Sequence, residues 1–367
     1  MDAAVQEFLQ LPFLVRGILV FGAVFTPFVL TAAYLTYFER KMLAAIQSRI
    51  GPNRVGPAGL LQPIADLVKM LQKEDIVPVR ADPFLFRFAP YVVFASSSLV
   101  MVLVPLGRGM MAGDLSVGLL YLIGVSSMAT IGIFMAGWSS NNKFSLYGAI
   151  RSIAQLISYE LPQVFALLAV ATLAGSMRVS DVVNSQNAIT LYLPFGGKAF
   201  TMPFWFIVPQ ILGFLIFVIT GIAETNRTPF DLPEAESELV AGFTTEYSGI
   251  RFGLFFAAEY MNVALTSVFV ACFFLGGWLP PFPLWATANE AVAHSAPAWM
   301  SLQTFPVVLS MLILMVKTAL VVFVFFWVRA TLPRFRVDQL MGFAWKVLLP
   351  LSMLNLLIAA LEGVWIG

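Results

Sequence analysis

The residues best suited to do chemistry in this chain are acids set among apolar residues. Residues 224–242, ETNRTPFDLPEAESELVAG, carry Glu224, Asp231, Glu234, Glu236 and Glu238. They follow directly on MPFWFIVPQILGFLIFVITGIA (202–223), a stretch without a charge. Glu160 in SYELP, Glu259 in AEYMN and Lys317 in MVKTA sit inside other apolar runs. A charged side chain at mid-bilayer costs about 2.5–3.5 kcal/mol on insertion scales, so such groups face a bundle interior or a hydrated cavity. Burial and neighbouring carboxylates both raise a carboxyl pKa. Acids brought near neutrality pass protons through water, whereas a group that stays ionised releases none. Carboxyls gathered in one cluster titrate together. The chemistry suggested is proton transfer.

A plainer reading covers part of the acidic stretch. Asp231 and Glu234 have the D-x-x-E spacing of a helix N-terminal cap, Pro233 is tolerated in a first turn, and acids there favour the helix dipole. Capping accounts for Asp231 and one or two of the glutamates. It does not account for Glu224, Glu160 or Glu259. Arg227, in TNRTPFD, reads as an ion-pair partner for one of the acids or for an anionic group on a ligand.

The elements that must position these residues follow from composition. Of 367 residues, 59% are apolar and 11% charged, against about 25% charged in soluble domains. The fold class is therefore an all-α integral membrane protein, because lipid tolerates only spanning structures whose backbone is satisfied internally. The net charge of +1 gives no reason to expect a nucleic-acid partner. One cysteine, Cys272, and one histidine exclude an internal disulfide, an iron–sulfur cluster and a Cys-x-x-Cys-His haem site, so no metal redox centre is expected. The opening MDAAVQEFLQLPF lacks the basic start and small-residue cleavage site of a signal peptide.

Eight apolar runs reach the roughly 20 residues of a membrane helix: 17–38, 88–106, 115–138, 153–175, 202–223, 252–279, 304–328 and 343–366. With no obvious repeat or low-complexity linker, residues 1–367 read as one multi-pass membrane domain. The segments after the first, third, fifth and seventh runs (39–87, 139–152, 224–251 and 329–346) hold 8, 2, 2 and 4 of the 21 Lys and Arg. The other side holds Arg16, Arg108, Arg178 and Lys198. The positive-inside rule makes the richer side cytoplasmic and places both termini on the periplasmic side. Glu160 and Glu259 then lie about two turns from the cytoplasmic ends of their runs, and the acids form a cytoplasm-facing vestibule leading inward. Only Lys317 is central.

The first cytoplasmic segment opens with ERKMLAAIQSRIGPNRVG (39–56), whose Gly and Pro residues bend the chain around Arg54. PAGLLQPIADLVKMLQK (57–73) then places Leu60, Leu61, Ile64, Leu67, Val68 and Leu71 on one helical face. Pro57 suits the helix start and Pro63 introduces a bend. Such an amphipathic helix lies in the membrane interface. It is either a surface helix with snorkelling cations or the roof of an opening through which an amphiphile leaves the bilayer; periodicity fits both.

Four blocks together resemble a known family: ERKMLAAIQSRIGPNRVGPAGLLQPIADLVKMLQKED (39–75), GWSSNNKFSLYGAIRSIAQLISYELP (137–162), ETNRTPFDLPEAESELVAGFTTEYSG (224–249) and FWVRATLPRFRVDQLMGFAWKVLLP (326–350). Their order and spacing resemble the NuoH-type membrane subunit of respiratory complex I, the proton-pumping NADH:quinone oxidoreductase. The resemblance implies eight membrane helices, a bacterial plasma membrane, and a place where the hydrophilic arm meets the membrane arm. It implies that the first and third cytoplasmic loops wall a quinone chamber, with Arg40, Gln47, Arg49, Arg54, Asp66, Lys69, Arg227 and Phe230 at chamber positions. Quinone, an exchangeable substrate, enters from the bilayer near the amphipathic helix and is reduced beside an iron–sulfur cluster held by a partner. The implied proton channel comprises Glu160, Glu224, Asp231, Glu234, Glu236, Glu238 and Glu259, with Lys317 at a further family position. FMN and the clusters belong to partner subunits, and antiporter-like subunits and membrane lipid complete the surroundings. Two other readings share features with this one. An anchor subunit of a membrane-bound hydrogenase or another quinone-linked dehydrogenase would share parts of the acidic loop. A stand-alone cation transporter would share the buried Glu and Lys, although such transporters show paired broken helices around a midplane site. A passive scaffold would leave the intramembrane glutamates without a purpose.

Overall fold

The structure, a computed structural model, describes residues 12–186, 189–191, 200–202, 205–232, 239–280 and 304–366. Glu234, Glu236 and Glu238 lie outside the described residues. Helix α1 runs from Phe13 to Ile46 with Pro27 inside it. Its 34 residues reach about 50 Å, so it carries Glu39, Arg40 and Lys41 well past the apolar run that ends at residue 38.

The expected helix over 57–73 is shorter and starts later. Pro57–Gly59 form a 3-10 turn, and α2 spans Gln62–Gln72. The chain turns on positive φ angles at Gly56 (72°), Ala58 (52°) and Gly59 (85°). At Gly59 a Cβ would collide with the Pro52 carbonyl, so only glycine fits. Pro63 does not bend the helix; it occupies the first turn, where its missing N–H costs nothing.

Helix α3, Pro83–Val100, is capped by Asp82, whose carboxylate accepts from the Phe84 and Leu85 N–H groups at 3.0 and 3.3 Å. A short antiparallel pair follows, β1 (Pro105–Gly107) with β2 (Met110–Met111). The next span is made of two helices, α4 (Gly118–Ser126) and α5 (Met128–Ser139), meeting at Ser127. Helix α6 covers Lys143–Ala174. It starts ten residues before its apolar run because Asn142 caps it, accepting from the Phe144 N–H at 2.9 Å. It ends at Gly175, in the left-handed region at φ 65°. A short α7 (Val179–Ser185) and a second strand pair, β3 (Ile189–Leu191) with β4 (Phe200–Met202), follow.

Helix α8 is only Ile211–Glu224. The run at 202–223 is thus helical over its second part alone: β4 takes its first residue, and Pro209 lacks the N–H an interior helical position donates. Helix α9 spans Gly249–Phe274, α10 Thr304–Thr331, and α11 Val337–Phe343 continues through a π turn at Ala344–Leu348 into α12, Leu349–Ile366. Among the described residues, six helical stretches are long and apolar enough to cross a membrane: Pro83–Leu103, Gly118–Ser139, Lys143–Ala174, Gly249–Phe274, Val307–Thr331 and Val337–Gly363.

Helix α9 is the hub, packing against α1, α2, α3, α8 and α10. Met261, Val263, Val270 and Cys272 through Phe274 are fully enclosed. Phe273 and Phe274 meet Phe217 of α8 with ring centroids 6.1 and 5.7 Å apart. A second apolar cluster locks the end of the third loop to α3. Tyr247 stacks on Phe86 at 4.1 Å and donates its hydroxyl to the Phe86 carbonyl at 3.1 Å. Burial raises the Tyr247 pKa, which keeps that hydroxyl a donor. At Gly148 helix α6 touches the backbone of Gly242, where an added Cβ would come within 2.6 Å. The third loop therefore lies directly on the helix that carries Glu160.

Candidate functional site

Three acids from three helices converge on one internal cavity. Glu160 and Gln163 face it from α6, one turn apart, and Glu259, Asn262 and Thr266 face it from α9 at spacings of three and four. Glu224 faces it from the end of α8, followed by Thr225 and Asn226. Ser96 and Ser97 of α3, with Ser127 and Thr130 where α4 meets α5, add further polar lining. Phe217, Phe255 and Phe269 are among its apolar lining.

The cavity leaves about 80 Å³ open to water-sized molecules. One water needs about 10–15 Å³ on that measure, with two to four polar partners, so the space fits several. The Ser127 hydroxyl hydrogen-bonds Glu160 Oε1. Gln163 Nε2 donates to Glu224 Oε2 at 2.9 Å, and Ser97 Oγ donates to Asn262 Oδ1 at 2.7 Å. Carboxyls, hydroxyls and amides around a space large enough for several waters have the chemistry that a proton relay needs. Periodicity shows that Glu259 and Asn262 share a face; it does not show that this face meets Glu160, which depends on how α6 and α9 are rotated against each other.

The residue after Asn226 faces a different environment. Arg227 is 6% exposed and binds Glu39, itself 1% exposed. Its Nη1 lies 2.7 Å from both carboxylate oxygens. Arg329 Nη1 contacts the same carboxylate, so one buried acid serves two arginines from different segments. The Arg227 guanidinium carbon sits 4.2 Å over the Tyr260 ring, and its Nε and Nη2 have no hydrogen-bond partner among the described residues. The ion-pair reading of Arg227 thus holds, with a partner that sequence reasoning did not select. The apolar pattern does not mark it, because α1 outruns its apolar stretch and Glu39 is helical although it follows the last residue of that stretch.

Of the other sequence-selected residues, Asp231 lies away from the cavity and accepts from Arg334 Nη2 at 2.8 Å. Phe230 is buried between Tyr159 (5.3 Å) and Phe335 (5.8 Å). Arg40 meets Asp66 at 2.6 Å, Gln62 donates to the other Asp66 oxygen at 3.0 Å, and Arg49 Nε donates to Gln47 at 2.7 Å. Arg54 and Lys69 are exposed. The apolar face of α2 is bare, from 44% exposure at Val68 to 62% at Leu71. Lys317 lies apart from the acids. Its ammonium donates to the carbonyls of Leu275, Gly277 and Leu279 at 2.6, 2.9 and 2.6 Å, 4.2 Å from the Trp205 ring. It thereby satisfies carbonyls just beyond the C-terminal end of α9, where a cation also suits the helix dipole.

Comparison with known proteins places this architecture. Residues 19–360 match the family described as NADH dehydrogenase. The H-type subunit of NADH-quinone oxidoreductase from Brevibacillus brevis is 45% identical over 89% of this chain and 87% of its own length. The NADH-quinone oxidoreductase subunit 8 of Rhodothermus marinus is 46% identical over 90% of this chain and 92% of its own. An H-type subunit of NADH-quinone oxidoreductase from Geobacter sulfurreducens is 46% identical over 89% and 90%. With agreement along nearly the whole sequence, the chain belongs to the NADH dehydrogenase family of NADH-quinone oxidoreductase H-type subunits.

Proposed function

We propose that this chain is the membrane subunit of a proton-translocating NADH:quinone oxidoreductase that walls the quinone chamber and begins the proton path. In this reading it spans a bacterial inner membrane eight times with both termini periplasmic, and α2 lies in the interface with its bare apolar face in lipid. Quinone is the exchangeable substrate, and iron–sulfur, flavin and antiporter-like subunits are the partners. The observation that carries it is the shared water-sized cavity of Glu160, Glu224 and Glu259, lined as far as Asn226, with the next residue held by Glu39.

That adjacency supports a mechanism. Quinone reduction takes up two electrons and two protons, and the groups that give up those protons are left more negative, which changes the charge beside the first and third loops. Arg227 and Glu39 feel that change strongly because they are buried, where Coulomb interactions are screened little. A shift of the Arg227–Glu39 pair moves the backbone that carries Glu224, which alters its contact with Gln163 and the protons shared across the cavity. Glu234, Glu236, Glu238 and Asp231 extend the path in this reading, with Arg334 holding the Asp231 carboxylate in place. Arg40, Gln47, Arg49, Arg54, Asp66, Lys69 and Phe230 belong to the chamber side.

Affinity purification through this chain from native membranes tests the assignment. The expected result is a complex containing flavin, iron–sulfur and antiporter-like subunits that reduces a quinone with NADH. Recovery with a nickel-containing hydrogenase and no NADH-dependent activity would favour the anchor-subunit reading. Recovery of the chain alone, active in cation transport, would favour the transporter reading.

A further inference from the structure

The turn that joins the acid cavity to the Arg227–Glu39 pair is held at both ends by one side chain. Gln155 of α6 is fully buried. Its Nε2 donates to the Ala223 carbonyl at 2.8 Å and to the Phe230 carbonyl at 2.7 Å, with Asn226 Oδ1 at 3.4 Å. Residues 223 and 230 bracket the segment containing Glu224, which faces the cavity, and Arg227, which faces Glu39. The two main-chain carbonyls fix the amide's orientation, because a flipped amide would set oxygen against oxygen. Among the described residues Gln155 Oε1 has no hydrogen-bond partner. What Gln155 supplies is its donor group.

We infer that Gln155 is a positioning residue that makes residues 223–230 one rigid unit, so that Glu224 and Arg227 move together when charge changes beside them. This rests on the proposed function above and adds the part that links its two halves. Helix α6 holds the same unit a second time through Gln163 on Glu224. A displacement at Arg227 therefore has a stiff route to the Glu224 carboxyl. Without Gln155 the turn keeps its own main-chain bonds, Asn226 N–H to the Ala223 carbonyl at 3.2 Å and Phe230 N–H to the Arg227 carbonyl at 2.7 Å, and its tethers at Glu39 and Gln163, but it loses the side chain that ties residue 223 directly to residue 230.

Gln155→Glu and Gln155→Leu in the assembled complex test this. Rates are normalised to NADH oxidation by an artificial acceptor, which counts assembled enzyme. In Gln155→Glu an ionised carboxylate repels both carbonyls, whereas a protonated one donates to one of them. Relative to wild type at each pH, its quinone reductase kcat should fall about ten- to hundredfold at alkaline pH, the loss of two hydrogen bonds, and recover in part as pH is lowered. Protons pumped per electron should fall with it while quinone KM changes little. Gln155→Leu should show the same losses with no recovery at low pH. A wild-type rate and pumping ratio in assembled Gln155→Leu would overturn the inference, as would failure of Gln155→Glu to assemble even at acid pH, which would make Gln155 a folding residue. Glu224→Gln run in parallel separates the two claims: if it is impaired and the Gln155 variants are not, only the inference falls; if none is impaired, the proposed proton path falls as well.

Discussion

Replacing Glu39 with alanine should lower the stability of the assembled protein by about 3–5 kcal/mol, the range for removing one partner of a buried ion pair. The reason is asymmetry. Arg227 is 6% exposed, has two nitrogens without a hydrogen-bond partner among the described residues, and binds Glu39 through its remaining terminal nitrogen. Without the carboxylate its charge stays buried with only the Tyr260 ring beneath it, and Arg329 loses the same acid. A drop in the midpoint of thermal inactivation of the complex, with reduced abundance in the membrane, would register this. Glu39→Gln keeps the shape and one acceptor oxygen, so its loss should be smaller. An unshifted midpoint in Glu39→Ala would show that the pair adds nothing to holding the third loop. Arg227→Ala alone should destabilise too, and the double variant less than the sum of the two singles, because the partners share one interaction.

Replacing Glu224 with glutamine should cut quinone reduction coupled to pumping by about 10²-fold, the low end of what a positioned proton donor or acceptor contributes. Glutamine preserves the shape and can still meet Gln163, now within 2.9 Å of a neutral amide, so a structural explanation is weakened. In the proposed function, NADH oxidation by artificial acceptors depends on groups held by partner subunits and so reports assembly of the same preparation. Glu160→Gln should act in the same direction, because both carboxyls face one cavity. Unimpaired quinone activity in both assembled variants would contradict a proton role for this cavity.

How much of this was legible in the sequence differs from element to element. The membrane class follows from composition alone. Helix ends were less legible, because an apolar run marks where lipid contact is favourable, not where hydrogen-bonded helix stops. Thus α1 continues through Glu39 to Ile46, α6 begins at Lys143 under the Asn142 cap, and α8 starts only at Ile211 after Pro209. The first extension hid Glu39, which looked like part of a loop. Glu160, Glu224 and Glu259 were visible because carboxylates inside apolar runs demand an explanation. Their meeting was not visible, since it depends on the relative rotation of α6, α8 and α9. Neutral Gln155 drew no notice, although its contacts span residues 223–230. Lys317 had the same sequence signal as the acids. Its partners are main-chain carbonyls in a turn with positive φ at Gly276 (71°) and Gly277 (50°), a pattern without side-chain markers.

The claim on which the rest depends is that Glu160, Glu224 and Glu259 share water. Density for the native complex in lipid, at a resolution where single waters are visible, tests it most directly. The account predicts a connected file of ordered waters within hydrogen-bond distance of all three carboxyls, reaching Asn226. A dry cavity, or one filled by a lipid tail or by repacked side chains that separate the three acids, would contradict it.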